Sequence, residues 1–426
     1  MHVLPAKLRV DPRDRLDAVL RVPGSKSITN RTLLVAALAG GDSALVGALD
    51  SDDTRVMTAA LRALGCEIDA AGDVWQISGT GGSLRAPERP LDVGNSGTTA
   101  RFLTAAAALA DGPVEIDGDA RMRERPIDDL TRALTAQGVP VEIQGRNGCP
   151  PVRVGGGGLP GGAIEIDASR SSQYVSALLL AAPYAARDLE VHFAGGTLVS
   201  RPYVDLTLEV MRAFGAVALW RGESGVSVRS GHPYVGRRYA IEPDASAAAY
   251  PLCAAAIAGG RVRVAGIPKS SLQADFALLG ILEQMGCRVL RGDDFAEVNG
   301  PEGRLRGVDV DMNDLPDAVL ALAVVALFAE GETHIRNVAN LRIKETDRLA
   351  ALEAELRKLG ATARATADAL HIVPGPHRGA EIATYDDHRM AMSFALAGLR
   401  IPDVVILDPG CVSKTWPDYF AALEGL

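Results

Sequence analysis

The sequence predicts an α/β protein made of six copies of one unit, clustered as two lobes of three. Three observations point there: a repeated pattern at nearly constant spacing, a composition suited to an aliphatic core, and a length of 426 residues. A single hydrophobic core stops growing near about 250–300 residues, so one domain is too few. The repeat is a helical stripe of Leu, Met and Ala, a glycine, then two short alternating stretches around a turn. It occurs as MTAALRALGCEI, LTRALTAQGVPV, LEVMRAFGAV, LGILEQMGCRV and LEAELRKLGATA, with the glycines at Gly65, Gly138, Gly215, Gly286 and Gly360. Their spacings are 73, 77, 71 and 74 residues. Each glycine sits where a helix ends in the left-handed conformation. Hairpins then follow, as in CEIDAAGDVWQISG and CRVLRGDDFAEVNG, with Asp/Gly turn chemistry. The C-terminal DYFAALEGL reads as the start of a sixth copy, cut off at its helix. Solenoid repeats usually run about 20–45 residues, so longer units predict globular clustering, with a hinge near Gly231–Ile241. A cleft flanked by two lobes is the default place for a ligand.

Composition narrows the function. Hydrophobic residues make up 47% and charged residues 23%, which excludes global disorder. Aromatics are only 4%, so Ala and Leu must fill the core, and 45 glycines supply tight turns or close backbone approaches. A net charge of −9 argues against a broad nucleic-acid or anionic-membrane surface. The longest apolar run, Ala318 to Ala329, falls short of the ~20 residues that span a bilayer, and the N-terminus lacks a secretory apolar region. Five scattered cysteines without CxxC spacing read as reduced thiols of a cytoplasmic protein. No histidine pair has metal-ligand spacing, so no metal is expected.

Polar, Gly-rich segments interrupt the scaffold at helix starts, in chain order. Gly24 to Arg31 places Ser25, Lys26, Ser27 and Arg31 before an apolar helix, an arrangement that suits an anion. It is not a P-loop, because the required glycines are missing. Gly94 to Arg101 opens a second helix, and Arg121 to Pro126 packs three arginines into five residues before a third. Ser171-Ser172-Gln173-Tyr174 and Ser200 to Tyr203 begin two more. In the C-terminal half, Asp314 to Asp317 precedes an apolar helix, with Pro316 suited to a first turn. Lys344 and Arg348 are i,i+4 neighbours at the start of an amphipathic helix, with Glu345 three residues from Arg348. Asp386 to Met390 and Val412 to Thr415 complete the set, with Asp386 or Asp387 as a helix cap. Simple capping or a solvated charge run accounts for any one of these. Eight such helix openings and one further polar loop, recurring along an acidic chain, point to a small polyanion as ligand. Gly156 to Gly161 matches G-x-G-x-x-G but leads into a strand, so it reads as a hairpin exit and not a dinucleotide site.

The segments GSKSITNR, GNSGTTARFL, RMRERPI, SSQYVSALL, SRPYVDLT, EPDASAAAY, LPDAV, KETDR, DDHRMAM and SKTWPDYF occur in order across essentially the whole chain. Together they resemble the 5-enolpyruvylshikimate-3-phosphate synthases, the enolpyruvyl transferases of aromatic amino-acid synthesis. The resemblance implies a two-lobed enolpyruvyl transferase fold, each lobe of three βαβαββ repeats, with the active site in the interlobe cleft. The N-terminal lobe would span 21–238, and residues 1–20 would join 239–426 in the C-terminal lobe. It also implies transfer of the enolpyruvyl group of phosphoenolpyruvate to the 5-hydroxyl of shikimate 3-phosphate, releasing phosphate through a tetrahedral intermediate. By motif, Ser27, Arg31, Ser171, Ser172, Ser200, Asn340 and Lys344 would hold shikimate 3-phosphate. Gly97, Arg125, Arg348, Arg389 and Lys414 would hold phosphoenolpyruvate, with Lys26 and Gln173 touching both ligands. Asp317, itself beside shikimate 3-phosphate, would accept the 5-hydroxyl proton, with Lys26 sharing that work, and Glu345 would protonate the methylene carbon. No metal or organic cofactor, nucleic acid, membrane or second subunit is implied. Glyphosate occupies the phosphoenolpyruvate position in this family, and a methyl on Gly97 is expected to hurt it more than the substrate.

Two positions depart from the family pattern. Arg170 stands where a small or apolar residue is expected, and Phe102 follows Arg101 where some relatives have Pro. The related UDP-N-acetylglucosamine enolpyruvyl transferases use Lys-Asn where this chain has Lys26-Ser27. They commonly carry a cysteine in the loop matching Arg121 to Pro126, which has none here. A non-catalytic scaffold binding an anionic partner would need the cations but not Asp317 with Glu345.

Overall fold

The computed structural model describes residues 4–426, so the first three residues of the 1–20 segment lie outside the described residues. The chain forms two compact units, Lys26–Ile241 and the segment up to Ser25 together with Glu242–Leu426. The crossings therefore fall at Ser25–Lys26 and Ile241–Glu242, a few residues beyond the expected 20/21 and 238/239. Local pairing explains the shift. Strand Arg238–Ala240 runs parallel to Gly40–Val46 inside the first unit. The Ser25 N–H donates to the Glu242 carbonyl (2.8 Å), and the Asp244 N–H to the Pro23 carbonyl (2.8 Å), inside the second.

The unit Lys26–Ile241 carries helices α1 (Lys26–Leu38), α2 (Asp52–Ala63), α3 (Gly97–Ala106), α4 (Asp128–Ala136), α5 (Ser172–Ala181) and α6 (Arg201–Ala213). It has three four-stranded sheets of one topology, in which a strand pairs parallel with the next and that one antiparallel with a hairpin. The second sheet is typical: Leu91–Asp92 is parallel to Val114–Asp117, which pairs antiparallel with Val152–Val154, then Val141–Ile143. The first helix of each copy is apolar nearly all round and buried, as such a helix must be. The second is amphipathic and closes on the repeated glycine.

The other unit repeats the plan with α7 (Ala245–Ala258), α8 (Leu278–Gln284), α9 (Val319–Val325), α10 (Arg348–Lys358), α11 (His388–Gly398) and α12 (Tyr419–Glu424). Two of its sheets have the same order, a third has three strands, Lys7–Val10, Val404–Leu407 and Glu381–Ile382, and Leu305–Arg306 pairs with Ala329–Glu330 as a two-stranded fourth. This corrects the reading of DYFAALEGL. It is the second helix of a sixth copy whose first half runs from Glu381 to Leu407, and the chain's own first strand completes the sheet. Each unit has its own aliphatic core.

All five repeat glycines have φ between 92° and 106°, the left-handed termination the spacing predicts. Gly156 to Gly161 forms the loop from Val152–Val154 to Gly162–Ala168, as a hairpin exit should. No helix of the described residues is long and apolar enough to cross a membrane.

Candidate active site

Many of the candidate residues lie at the N-termini of helices, where unpaired N–H groups and the helix dipole favour anions. In the unit Lys26–Ile241, Lys26 opens α1, Gly97 opens α3, and Ser172 opens α5 with Ser171 as its cap. The Ser171 Oγ accepts from the Gln173 N–H (3.2 Å), and Gln173 Nε2 donates to Thr98 Oγ1 (3.3 Å), so α3 and α5 begin side by side. Ser200 caps α6 in the left-handed region, at φ 53°, without a side-chain cap bond. Such a conformation costs a non-glycine residue about 1–3 kcal/mol and clusters at functional positions.

The cations of this unit differ in how they are neutralised. Lys26 Nζ lies 3.6 Å from the buried carboxylate of Asp53. Arg31 is 2% exposed and meets only neutral groups. Its Nε donates to Thr207 Oγ1 (2.8 Å), Nη1 to the Ser27 carbonyl (3.0 Å) and Nη2 to the Tyr203 carbonyl (3.1 Å). Its guanidinium stands 5.2 Å from the centre of the Phe102 ring. Burial without a counter-charge lowers its pKa to about 10. Arg125, 4% exposed, donates from Nη1 to the Asn95 carbonyl (3.1 Å) and Oδ1 (3.0 Å), and its buried Nε has no acceptor. Its neighbours Arg121 and Arg123 are ordinary surface charges, paired with Glu124 (2.9 Å) and Asp117 (2.5 Å).

The loops bearing these groups are stitched together. Arg101 Nη2 (2.9 Å) and the Tyr174 hydroxyl (2.7 Å) both donate to the Pro126 carbonyl. Arg170, the departure beside Ser171, donates from Nε to Asp129 Oδ2 (2.6 Å) and from Nη2 to Asp128 Oδ1 (2.6 Å), at the start of α4.

In the other unit the cations are held by carboxylates. Arg348 is 1% exposed and reaches Asp387 (Nε–Oδ2, 2.7 Å), Glu345 (Nη2–Oε2, 2.9 Å) and Asp317 (Nη1–Oδ1, 3.0 Å). Burial alone would lower its pKa, but the fields of Asp387, Glu345 and Asp317 raise it overall. Asp317 also takes Arg389 Nη2 at 2.9 Å, and Lys344 Nζ lies 4.0 Å from its Oδ1. Asp387 caps α11 by accepting from the Arg389 N–H (2.9 Å). Asn340 is buried with no partner for its Oδ1, and Lys414 ends the short helical turn before α12.

Lys344 and Glu345 are not helical, against the i,i+4 expectation. Asp347 accepts from the Ala350 N–H (3.1 Å), and this cap starts α10 at Arg348. Lys344, in extended backbone, approaches Arg348 through their common partner Asp317 instead. Sequence reasoning gave no role to Asp53, Asn95 or Tyr250, whose hydroxyl receives Arg389 Nη1 at 3.4 Å, and saw Asp387 only as a cap. Nothing in their local sequence marks them, because each meets its partner from a different copy or segment.

The chain is similar to known proteins over nearly its whole length. The family model for EPSP synthase (3-phosphoshikimate 1-carboxyvinyltransferase) matches residues 10–423. The chain is 47% identical over 407 residues to the 3-phosphoshikimate 1-carboxyvinyltransferase of Nostoc punctiforme, covering 95% of each chain. It is 45% identical over 430 residues to that of Actinobacillus pleuropneumoniae, covering 99% of each. Its fold superposes on the EPSP synthase of Acinetobacter baumannii with a TM-score of 0.80, at 28% identity over 98% of both chains. Two units of repeated α/β copies, ten ordered motifs at their helix starts and these likenesses agree: the chain belongs to the EPSP synthase family, the two-lobed enolpyruvyl transferases that act on shikimate 3-phosphate and phosphoenolpyruvate.

Proposed function

We propose that this chain transfers the enolpyruvyl group by addition and elimination, using the residues assembled above. The observation that carries the reading is the state of Arg31 and Arg125. Both are almost fully buried guanidiniums with no carboxylate partner among the described residues. A buried cation left with neutral acceptors is costly unless an anion completes it.

On this reading shikimate 3-phosphate is held by Ser27, Arg31, Ser171, Ser172, Ser200, Asn340 and Lys344, with hydroxyls and helix N–H groups around its phosphate. Phosphoenolpyruvate is held by Arg125, Arg348, Arg389 and Lys414, with backbone close at Gly97, and Lys26 and Gln173 reach both ligands. Bidentate guanidinium contacts suit a carboxylate or phosphate. Arg348 and Arg389 now face Asp317 and Glu345, so an incoming anion must exchange with those carboxylates.

In the addition, the 5-hydroxyl oxygen bonds to C2 of phosphoenolpyruvate, and its proton passes to Asp317, or to Lys26 when that side chain is the neutral amine. C3 takes a proton from Glu345 and becomes a methyl group. In the elimination, C3 returns a proton and the C2–O bond to phosphate breaks, releasing phosphate and restoring the double bond. Asp317 already spends both oxygens on guanidiniums, which favours orienting the hydroxyl over strong base action, with Lys26 taking a share of the proton. Every residue named belongs to one chain, so a monomer suffices. The five thiols, none in a disulfide, fit a cytoplasmic setting.

The test is phosphate release by the purified chain given both substrates. Release that requires shikimate 3-phosphate supports the reading. Release with UDP-N-acetylglucosamine in its place, or none at all, would sink it.

A further inference from the structure

Away from these residues, strands Thr333–Arg336 and Leu370–Val373 pair antiparallel with His334 directly opposite His371. The two imidazoles stack, with ring centres 4.1 Å apart. Glu332, just before the first strand, places Oε2 3.0 Å from His371 Nε2 and 3.4 Å from His334 Nε2. All three side chains are open to solvent, and their ligand atoms lie within 4.8 Å of one another. Among the described residues no other group of three His, Cys, Asp or Glu does this. The histidines are 37 positions apart in sequence, so only the strand register brings them together.

We propose that Glu332, His334 and His371 form a surface binding site for a first-row transition-metal ion such as Zn²⁺ or Ni²⁺. Ligand atoms about 2.1 Å from a tetrahedral ion lie about 3.4 Å apart, close to the carboxylate–imidazole spacings already present. Two imidazoles and one carboxylate suit Zn²⁺, Ni²⁺ or Cu²⁺, while Mg²⁺ and Ca²⁺ want oxygen ligands. Water fills the remaining positions, because the site faces solvent. The hydrogen that each imidazole shares with Glu332 must move to Nδ1 or leave, so binding strengthens as pH rises. Arg364 stands opposite His371 on the other side of the strand pair and works against the ion. Arg336, two residues from His334, is neutralised by Asp309 at 2.6 Å.

The experiment is calorimetric titration of the untagged full-length chain with ZnCl₂, NiCl₂ and MgCl₂ at pH 7.5 and pH 5.5. One Zn²⁺ or Ni²⁺ per chain should bind at the higher pH, more weakly at the lower, and Mg²⁺ not at all. His334→Ala and His371→Ala should each weaken binding by more than the roughly 10–100-fold that a lost supporting partner costs. Glu332→Gln should weaken it too, and circular dichroism should show all three variants folded. No Zn²⁺ or Ni²⁺ binding by the parent chain, or unchanged binding by His334→Ala and His371→Ala, overturns the proposal.

Discussion

Replacing Gly97 by alanine tests the assigned phosphoenolpyruvate contact at its tightest point. Gly97 opens α3 with an ordinary negative φ, so its backbone accepts alanine without strain. The difficulty is the methyl itself. A methyl on Gly97 would overlap Arg125 Nη2 and stand 3.0 Å from its Cζ, so the guanidinium must move. Arg125 is 4% exposed and anchored to Asn95 by two hydrogen bonds, so it has little room. Losing one hydrogen bond from a charged donor costs about 1.5–3 kcal/mol. Forcing a methyl into a packed place costs about 1–3 kcal/mol. These describe one event and do not add. At about 1.4 kcal/mol per decade, phosphoenolpyruvate KM should rise about 5- to 150-fold. The sequence alone suggested that glyphosate would suffer more than the substrate. The structure puts the clash on a cation that would serve both, so the losses should be similar. Phosphate-release kinetics for both proteins at saturating shikimate 3-phosphate give KM and the glyphosate inhibition constant together. A phosphoenolpyruvate KM within twofold of the parent value, with glyphosate strongly weakened, would refute the Arg125 argument.

Glu345→Gln should lower turnover roughly 10²–10⁴-fold, the worth of a positioned acid or base, while shikimate 3-phosphate still binds; near-normal turnover removes Glu345 from the chemistry. Arg170→Ala releases the clamp on Asp128 and Asp129, and with about 1 kcal/mol at stake in a partly exposed pair, shikimate 3-phosphate KM should rise about 5-fold with kcat little changed. An unchanged KM means the clamp does not position Ser171 to Gln173. Asp275 gives a pH prediction, because burial, and then the charge of Asp317, push its pKa from 3.8 up to about 6. The native state then binds the proton more tightly than the unfolded chain, so this stability is complete below about pH 4 and is lost as pH rises through 6. At about 1.4 kcal/mol per pH unit the swing is a few kcal/mol. Urea unfolding at pH 4.5 and 7 should show Asp275→Asn losing much less stability over that range than the parent; equal losses would place the titration elsewhere.

The repeat was legible because its punctuation is local. A glycine in the left-handed conformation after an amphipathic stripe depends only on neighbouring residues, and Gly65, Gly138, Gly215, Gly286 and Gly360 all adopt it. Helix starts were mostly legible for the same reason, since Ser96, Ser171 and Asp387 cap through their own side chains. What could not be read was pairing across copies. Asp387 bonds Arg348 from 39 residues away, and the strand Lys7–Val10 completes a sheet with Val404–Leu407. The helical placing of Lys344 failed because charge spacing says nothing about which residue caps. Asp347 competes for that role and wins, leaving Lys344 and Glu345 outside the helix.

The two units handle charge differently, and this bears on how each acts on anions. Arg31 and Arg125 keep only neutral acceptors, so an arriving phosphate or carboxylate displaces no counter-charge. Their desolvation is already borne by the fold, as the pKa of Arg31, lowered to about 10, records. Arg348 and Arg389 are bound to Asp317, Asp387 and Glu345, so an anion gains a contact there only as another is loosened. Uniform affinity therefore comes more cheaply from the first pair. On the proposed roles, the second pair would respond to changes of charge during the reaction, because the carboxylates proposed to move protons share their guanidiniums. If Arg348 and Glu345 play the roles proposed for them, an anion that draws Arg348 away loosens its 2.9 Å contact with Glu345, which would tie proton delivery to substrate occupancy.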